Sequence, residues 1–308
     1  MELIPAVLSE ALNDQNITEI LMNSESEIWF EQKGSLCKMN CSFESPIHYQ
    51  NFIDSLCLEA KLIWSRENPS CEGQWRGFRV QLVCAPVTDQ SFALSLRRLG
   101  GSHWSLHRLQ GLGWMTSAQS QLLRESLLRR ENILVIGPTG SGKTSVLSAL
   151  LNEVPESQRV VVLEDTPELS SAGPQSIYMK TKKDFVADKA DYDLERLIRL
   201  SLRMRPDRIV VGEVRGHEAK DLMLALSTGH EGSLGTLHAS TPLQAITRLE
   251  MLVTMGAPQW PLSLVRKLIA QSLQLILVCQ KKDGHRKFGG LFRITGYEES
   301  GLLLERVD

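Results

Sequence analysis

Along the first third of the chain, helical and strand-like patterns alternate over short distances. Residues 3–12 repeat apolar positions at helical spacing, which predicts an amphipathic helix. Residues 18–22 (Thr-Glu-Ile-Leu-Met) and 27–31 (Glu-Ile-Trp-Phe-Glu) read as short strands, and Lys33-Gly34 turns the chain into a third. Between residues 47 and 64, Phe52, Ile53, Leu56, Leu58, Leu62 and Ile63 recur with helical period. Residues 78–83 and 92–96 complete the region as two more strands. Residues 1–98 therefore read as a small α+β domain.

Gly100-Gly101-Ser102 breaks this pattern, and residues 99–113, with four glycines, read as a linker. From residue 114 to 308 helices and apolar strands alternate, the mark of an α/β domain built on a parallel sheet. Helices are expected at 120–130, 143–151, 194–204 and 218–227, and buried strands at 132–136, 159–163 and 208–211. Residues 241–279 read as helices leading into one more strand, and a strand pair around Asp283-Gly284 closes the chain.

One loop carries specific chemistry. Gly137, Pro138, Thr139, Gly140, Ser141, Gly142, Lys143 and Thr144 fit G-x-x-x-x-G-K-[ST] and lie between a predicted buried strand and a predicted helix. The glycines let backbone N–H groups turn inward without Cβ clashes, and the helix aims its positive end at an anion. Lys143 suits the β- and γ-phosphates of a nucleotide, and the Thr144 hydroxyl suits Mg²⁺. Hydrolysis also needs carboxylates for water and metal. Glu164 and Asp165 follow the strand 160–163, and Glu213 follows 209–212. Acids at the carboxyl ends of parallel strands converge on the ligand crevice, so Glu164 and Glu213 are the candidates.

Charge and cysteine usage narrow the function class. The 34 basic and 36 acidic side chains nearly cancel, which argues against direct nucleic-acid binding. Residues 1–98 hold eight Lys/Arg against 13 Asp/Glu, too mild an excess to name a partner. The six cysteines form no C-x-x-C pair, which fits reduced thiols in the cytoplasm. The most apolar run, residues 268–279, contains Gln271 and Gln274 and falls short of the roughly 20 residues needed to span a bilayer. The first residues lack a basic n-region, so no secretory signal is expected.

Four blocks, GPTGSGKT, VVLEDTPEL, RMRPDRIVVGEVRG and TGHEGSLGTLHAST, resemble in order and spacing the Walker A, Asp box, Walker B and His box of the secretion ATPase superfamily. His230 and His238, eight apart, are similar to the tight-adherence pilus (CpaF/TadA-type) and type IV secretion branches. The segments TEILMNSESEIWFEQKG and SFALSLRRLG resemble parts of the CpaF-type N-terminal domain.

The resemblance implies a RecA-like P-loop ATPase domain preceded by a PAS-like α+β domain, with ATP and Mg²⁺ as cofactors. It implies that Glu213 organises or activates water, that Glu164 holds hydrated Mg²⁺ or shares the base role, and that His238 senses the γ-phosphate. Thr144, Glu164 and Glu213 become the metal set. Arg97 or Arg98, and Arg79, are expected to reach phosphate from the N-terminal domain, and Arg215 to serve a neighbouring subunit's nucleotide. The implied assembly is a homohexamer at the cytoplasmic face of the inner membrane, working with a platform protein in pilus assembly or protein export. A nucleic-acid translocase and a nucleotide-binding regulator without turnover are the alternatives. Two departures from the resemblance are expected: a chain without the additional N-terminal segment of many CpaF-type proteins, and residues 70–77 in place of a longer regular loop.

Overall fold

A computed structural model describes residues 4–32, 35–99, 104–169, 173–182, 191–282, 284–299 and 301–308. The chain divides into two compact units, Met1–Gly101 and Ser102–Asp308.

The first unit contains α1 (Ala6–Asn13), β1 (Ile17–Met22), β2 (Ile28–Gln32), β3 (Ser35–Lys38), α2 (Pro46–Ala60), β4 (Ser70–Trp75), β5 (Phe78–Cys84) and β6 (Phe92–Arg98). Its strands form one antiparallel sheet in the order β3-β2-β1-β6-β5-β4. β5 and β6 alternate strictly, with Phe78, Val80, Leu82, Phe92, Leu94 and Leu96 inward, because only one face meets the core. α2 covers that face with Tyr49, Phe52, Ile53 and Leu56. Ser45 caps α2 by accepting the His48 N–H, and Pro46 takes the first helical position.

The expected helix over 47–64 ends early, at Ala60, because Lys61 adopts the left-handed conformation (φ 55°) and its N–H returns to the last carbonyls. Leu62 then folds onto β4 beside Gly73, where a Cβ would stand 2.5 Å from the leucine Cδ2. Residues 70–75, which are not among the expected strands, form the edge strand β4. Of the tryptophans in this unit, Trp75 is fully buried, while Trp29 and Trp64 are half-buried.

The second unit contains α3 (Leu106–Gly111), α4 (Ser117–Leu128), β7 (Ile133–Gly137), α5 (Lys143–Leu151), β8 (Val160–Glu164), β9 (Ile177–Lys180), α6 (Leu194–Ser201), β10 (Arg208–Val214), α7 (Glu218–Ser227), β11 (Leu234–His238), α8 (Pro242–Gly256), α9 (Leu262–Ser272), β12 (Leu275–Lys282), β13 (His285–Glu298) and β14 (Gly301–Arg306). Their sheet runs β14-β13-β12-β7-β11-β10-β8-β9, parallel from β12 to β9 and antiparallel through β13 and β14. β7 and β8 are apolar at nearly every position because both faces are covered. Leu134, Ile136, Val161 and Leu163 enter one core with α6 to α9, while Ile133, Val135, Val160 and Val162 enter another with α3 to α5. Part of the expected linker belongs here: Ser105 caps α3, and Leu106 and Leu109 are buried in the second core. Gly100 and Gly101 lie outside the described residues.

The amino ends of the central strands are held by buried side chains. Arg208 is wholly buried and donates to Leu127 O (2.7 Å), Gly232 O (2.8 Å) and Gln158 Oε1 (2.6 Å). Burial, with Arg130 nearby, pushes its guanidinium down to about 10. Asn132 donates to Ser272 O (2.6 Å) and accepts from Ser233 N (2.8 Å). The carboxyl ends of the same strands remain for the ligand crevice.

Candidate nucleotide site

β7 leads into the Gly137 to Thr144 loop, and α5 starts at Lys143 with Gly142 as its cap at φ 93°. A Cβ at Gly137 would lie 2.4 Å from both Cys279 O and Ser141 Oγ, so no larger residue fits without displacing β12. Gly140 also holds a positive φ, 72°. The buried Ser141 Oγ has no hydrogen-bond partner among the described residues. The first-turn amides of α5 point out of the helix toward this loop, as an anion site requires.

Lys143 folds back along the loop. Its ammonium donates to Gly137 O (3.0 Å) and Pro138 O (3.2 Å) and lies 3.1 Å from His238 Nδ1. An ammonium only donates, so Nδ1 accepts and the ring proton sits on Nε2. That nitrogen lies 3.0 Å from Glu213 Oε1. Burial and Lys143 lower the imidazole pKa against the pull of Glu213, which keeps this neutral tautomer. Lys143 at the start of α5, His238 at the end of β11 and Glu213 near the end of β10 thereby form one continuous chain.

Glu213 is held on its other side as well. Oε2 accepts from Arg215 at 2.7 Å, and Arg215 lies 3.5 Å from Asp165 Oδ2. Burial pushes the Glu213 carboxyl up, but Arg215, His238 and Lys143 outweigh it and hold the group below its usual range. Glu164 lies beside it: a Cβ at Gly212 would be 2.9 Å from Glu164 Cγ. Glu164 Oε1 accepts the N–H groups of Glu168 (2.9 Å) and Leu169 (3.0 Å). Burial raises its pKa to about 7 despite those two bonds. The two acids thus have opposite character, one firmly ionised and one titrating near neutrality.

The hydroxyl of Thr144 and the carboxylates of Glu164 and Glu213 are hard oxygen donors of the kind Mg²⁺ takes, and Glu164 Oε2 has no hydrogen-bond partner among the described residues. Thr236, beside His238, donates to Gly212 O (2.6 Å) and braces the strand that carries Glu213. His230 bonds Ala225 O through Nδ1 (3.0 Å) and steadies the turn after α7.

The arginines of the first unit divide in two. Arg98 donates to Ile17 O (2.8 Å), Leu12 O (3.0 Å) and Asp14 O (2.8 Å) and stacks over Phe78, closing the end of α1. Arg79 and Arg97 instead sit directly opposite each other on β5 and β6, with ion pairs of 3.6 Å to Glu72 and Glu19 respectively. Like charges in register cost stability, which leaves this pair suited to an anion.

The sequence reading missed Arg286. It reaches the loop from β13 and donates from Nε to Gly140 O at 2.9 Å, across 146 residues of chain. The run Lys281, Lys282, Arg286 and Lys287 around the final turn was the available signal.

Comparison with known proteins bears on this geometry. A family model described as "Type II/IV secretion system protein" matches residues 72–291, more than half of the chain. The conjugal transfer protein TrbB of Rhizobium radiobacter is 30% identical over 97% of this chain and 90% of its own length. The type IV secretion system protein PtlH of Bordetella pertussis is 27% identical over 89% of this chain and 88% of its own. Among solved structures, the pilus retraction motor PilT with bound ADP matches with a TM-score of 0.65 at 22% identity, covering 97% of this chain and 80% of that one. This likeness supports the two-part architecture of an N-terminal domain and a RecA-like domain. With the family model matched over more than half of its length, the chain belongs to the type II/IV secretion system protein family.

Proposed function

We propose that this chain is a homohexameric Mg-ATPase that powers macromolecular export or pilus assembly at the cytoplasmic face of a membrane. The observation that carries the reading is the chain Lys143–His238–Glu213, which links the phosphate loop to an ionised carboxylate. Lys143 binds the phosphates, and His238 lies between it and Glu213, so a change at the γ-phosphate passes to the acid through one ring. Glu213 stays ionised and orients the attacking water as a hydrogen-bond acceptor. Glu164, with a pKa of about 7, is suited to take the water's proton near neutral pH. Bound Mg²⁺ would neutralise phosphate charge, with Thr144 and the two glutamates as its protein-side oxygen donors.

The relatives are named for conjugal transfer and type IV secretion, which favours an export machine. The His230 to His238 spacing fits both that branch and the tight-adherence pilus branch. No helix among the described residues is long and apolar enough to cross a membrane, so we propose recruitment through a membrane-embedded platform protein. Arg79 and Arg97 are the first unit's candidates for phosphate contact, and Arg215 for contact with a neighbouring subunit's nucleotide.

Turnover of the Lys143→Ala chain tests the reading. Its ATPase rate is expected to fall by about a hundredfold or more. Wild-type turnover would refute the site. Light scattering with Mg-ATP should give about six chain masses, and a monomer under all conditions would remove the ring.

A further inference from the structure

The β12–β13 hairpin leaves the sheet with a bulge. Its register shifts between Val278 and Cys279, and Gly289 packs so closely that a Cβ would stand 2.7 Å from Gln280 Cγ. Bulges increase local twist and re-aim the strands beyond them. Beyond this one, Lys281 pairs directly with Arg286, and Lys282 with His285. Trp114 anchors the other strand, accepting the Phe288 N–H at 2.9 Å and packing edge-on against its ring.

This concentrates positive charge at the end of the hairpin. Lys281, Lys282, Arg286 and Lys287 are exposed, and none has a carboxylate partner among the described residues. Like charges directly opposite in a ladder are unfavourable, so the pairing of Lys281 with Arg286 does not serve hairpin stability. Both side chains lie against the phosphate loop. Arg286 Nε donates to Gly140 O, its Cδ is 3.4 Å from a Cβ built on Gly142, and Lys281 Nζ is 3.7 Å from one built on Gly140.

We propose that Arg286 and Lys281 belong to the nucleotide site, Arg286 as the positioning residue of its loop and both as a cationic wall for the bound polyphosphate. This rests on the nucleotide reading above. Arg286 holds the Gly140–Ser141 peptide by its oxygen. The Ser141 N–H then points the other way, to Pro138 O at 3.3 Å, which closes the loop's first turn. Fixing that turn before the nucleotide arrives reduces the ordering that binding must supply. The two cations add attraction for a polyanion without touching the carboxylates that act on water. The effect therefore belongs to binding, not to the chemical step.

The test compares full-length wild type, Arg286→Ala, Arg286→Lys, Lys281→Ala and Lys143→Ala for ADP affinity and for KM and kcat with ATP. Arg286→Ala is expected to raise Kd and KM about tenfold while kcat stays within about twofold. Arg286→Lys should recover part of the loss, and Lys281→Ala should weaken binding about threefold, an effect that shrinks at high salt. Lys281 makes no side-chain hydrogen bond among the described residues, so its variant reads the charge contribution even where Arg286→Ala folds poorly. Wild-type affinity in both hairpin variants, with binding lost in Lys143→Ala, would overturn this inference and leave the nucleotide reading standing. A loss confined to kcat would also overturn it. Undiminished binding by Lys143→Ala would overturn the nucleotide reading itself.

Discussion

Replacing Glu164 by glutamine isolates a stability term that depends on pH with a defined sign. The carboxyl is 5% exposed, and burial, reinforced by Glu168, raises it from 4.5 to about 7. Its native form therefore binds a proton more tightly than its unfolded form does. The resulting stabilisation is complete below about pH 4.5 and disappears as pH rises through 7. A rise of that size corresponds to about 3 kcal/mol. Glutamine keeps an oxygen to accept the Glu168 and Leu169 N–H groups and cannot ionise. Urea unfolding of both chains, without nucleotide and with EDTA, should show near-equal stability at pH 4.5. The variant should lead by about 3 kcal/mol at pH 8. A difference that stays flat across this range would show that Glu164 is ionised in the native protein throughout, and would refute the argument from burial.

Two substitutions probe the arginines that serve the fold. Arg208→Leu removes three hydrogen bonds and strands the buried oxygens of Leu127 and Gly232, so thermal or urea unfolding should register a loss of about 3–5 kcal/mol. A loss under about 1 kcal/mol would mean that the sheet base closes without it. Arg98→Gln should destabilise the first unit by about 2 kcal/mol through the lost closure of α1 and the lost stacking on Phe78. Hydrogen exchange in α1 is the readout, and unchanged protection there would contradict the capping role.

The central strands were legible because β7 and β8 are buried on both faces, which leaves continuous apolar runs. The phosphate loop was legible because its backbone demands glycine at fixed offsets. Edge strands were harder. β4 (Ser70–Trp75) has no β-branched residue and contains Gly73, whose use is to admit Leu62, a contact invisible in local sequence. The early end of α2 depends on one left-handed residue, Lys61, that carries no helix-stop signal. Residues 106–111 read as linker because flanking glycines hid the Ser105 cap and the burial of Leu106 and Leu109. At the site, Lys143, Glu164, Glu213 and His238 could be named from motif order. The opposite pKa directions of the two acids could not, since burial and the reach of Arg215 are tertiary facts. Arg286 was hidden for the same reason, standing 146 residues from its partner.

The buried guanidinium of Arg208 and the amide of Asn132 act like a rivet through the handle of a fan. They join the starts of β7, β8, β10 and β11 with bonds that are buried except for the part-buried one to Gln158. At the opposite rim the same strands are joined by partly exposed, exchangeable pairs, His238 with Glu213 and Arg215 with Asp165. The amino ends of these strands are thus tied by more deeply buried bonds than the carboxyl ends, where the phosphate loop lies. Substitutions at the handle should cost the fold, whereas those at the rim should change turnover with little loss of stability.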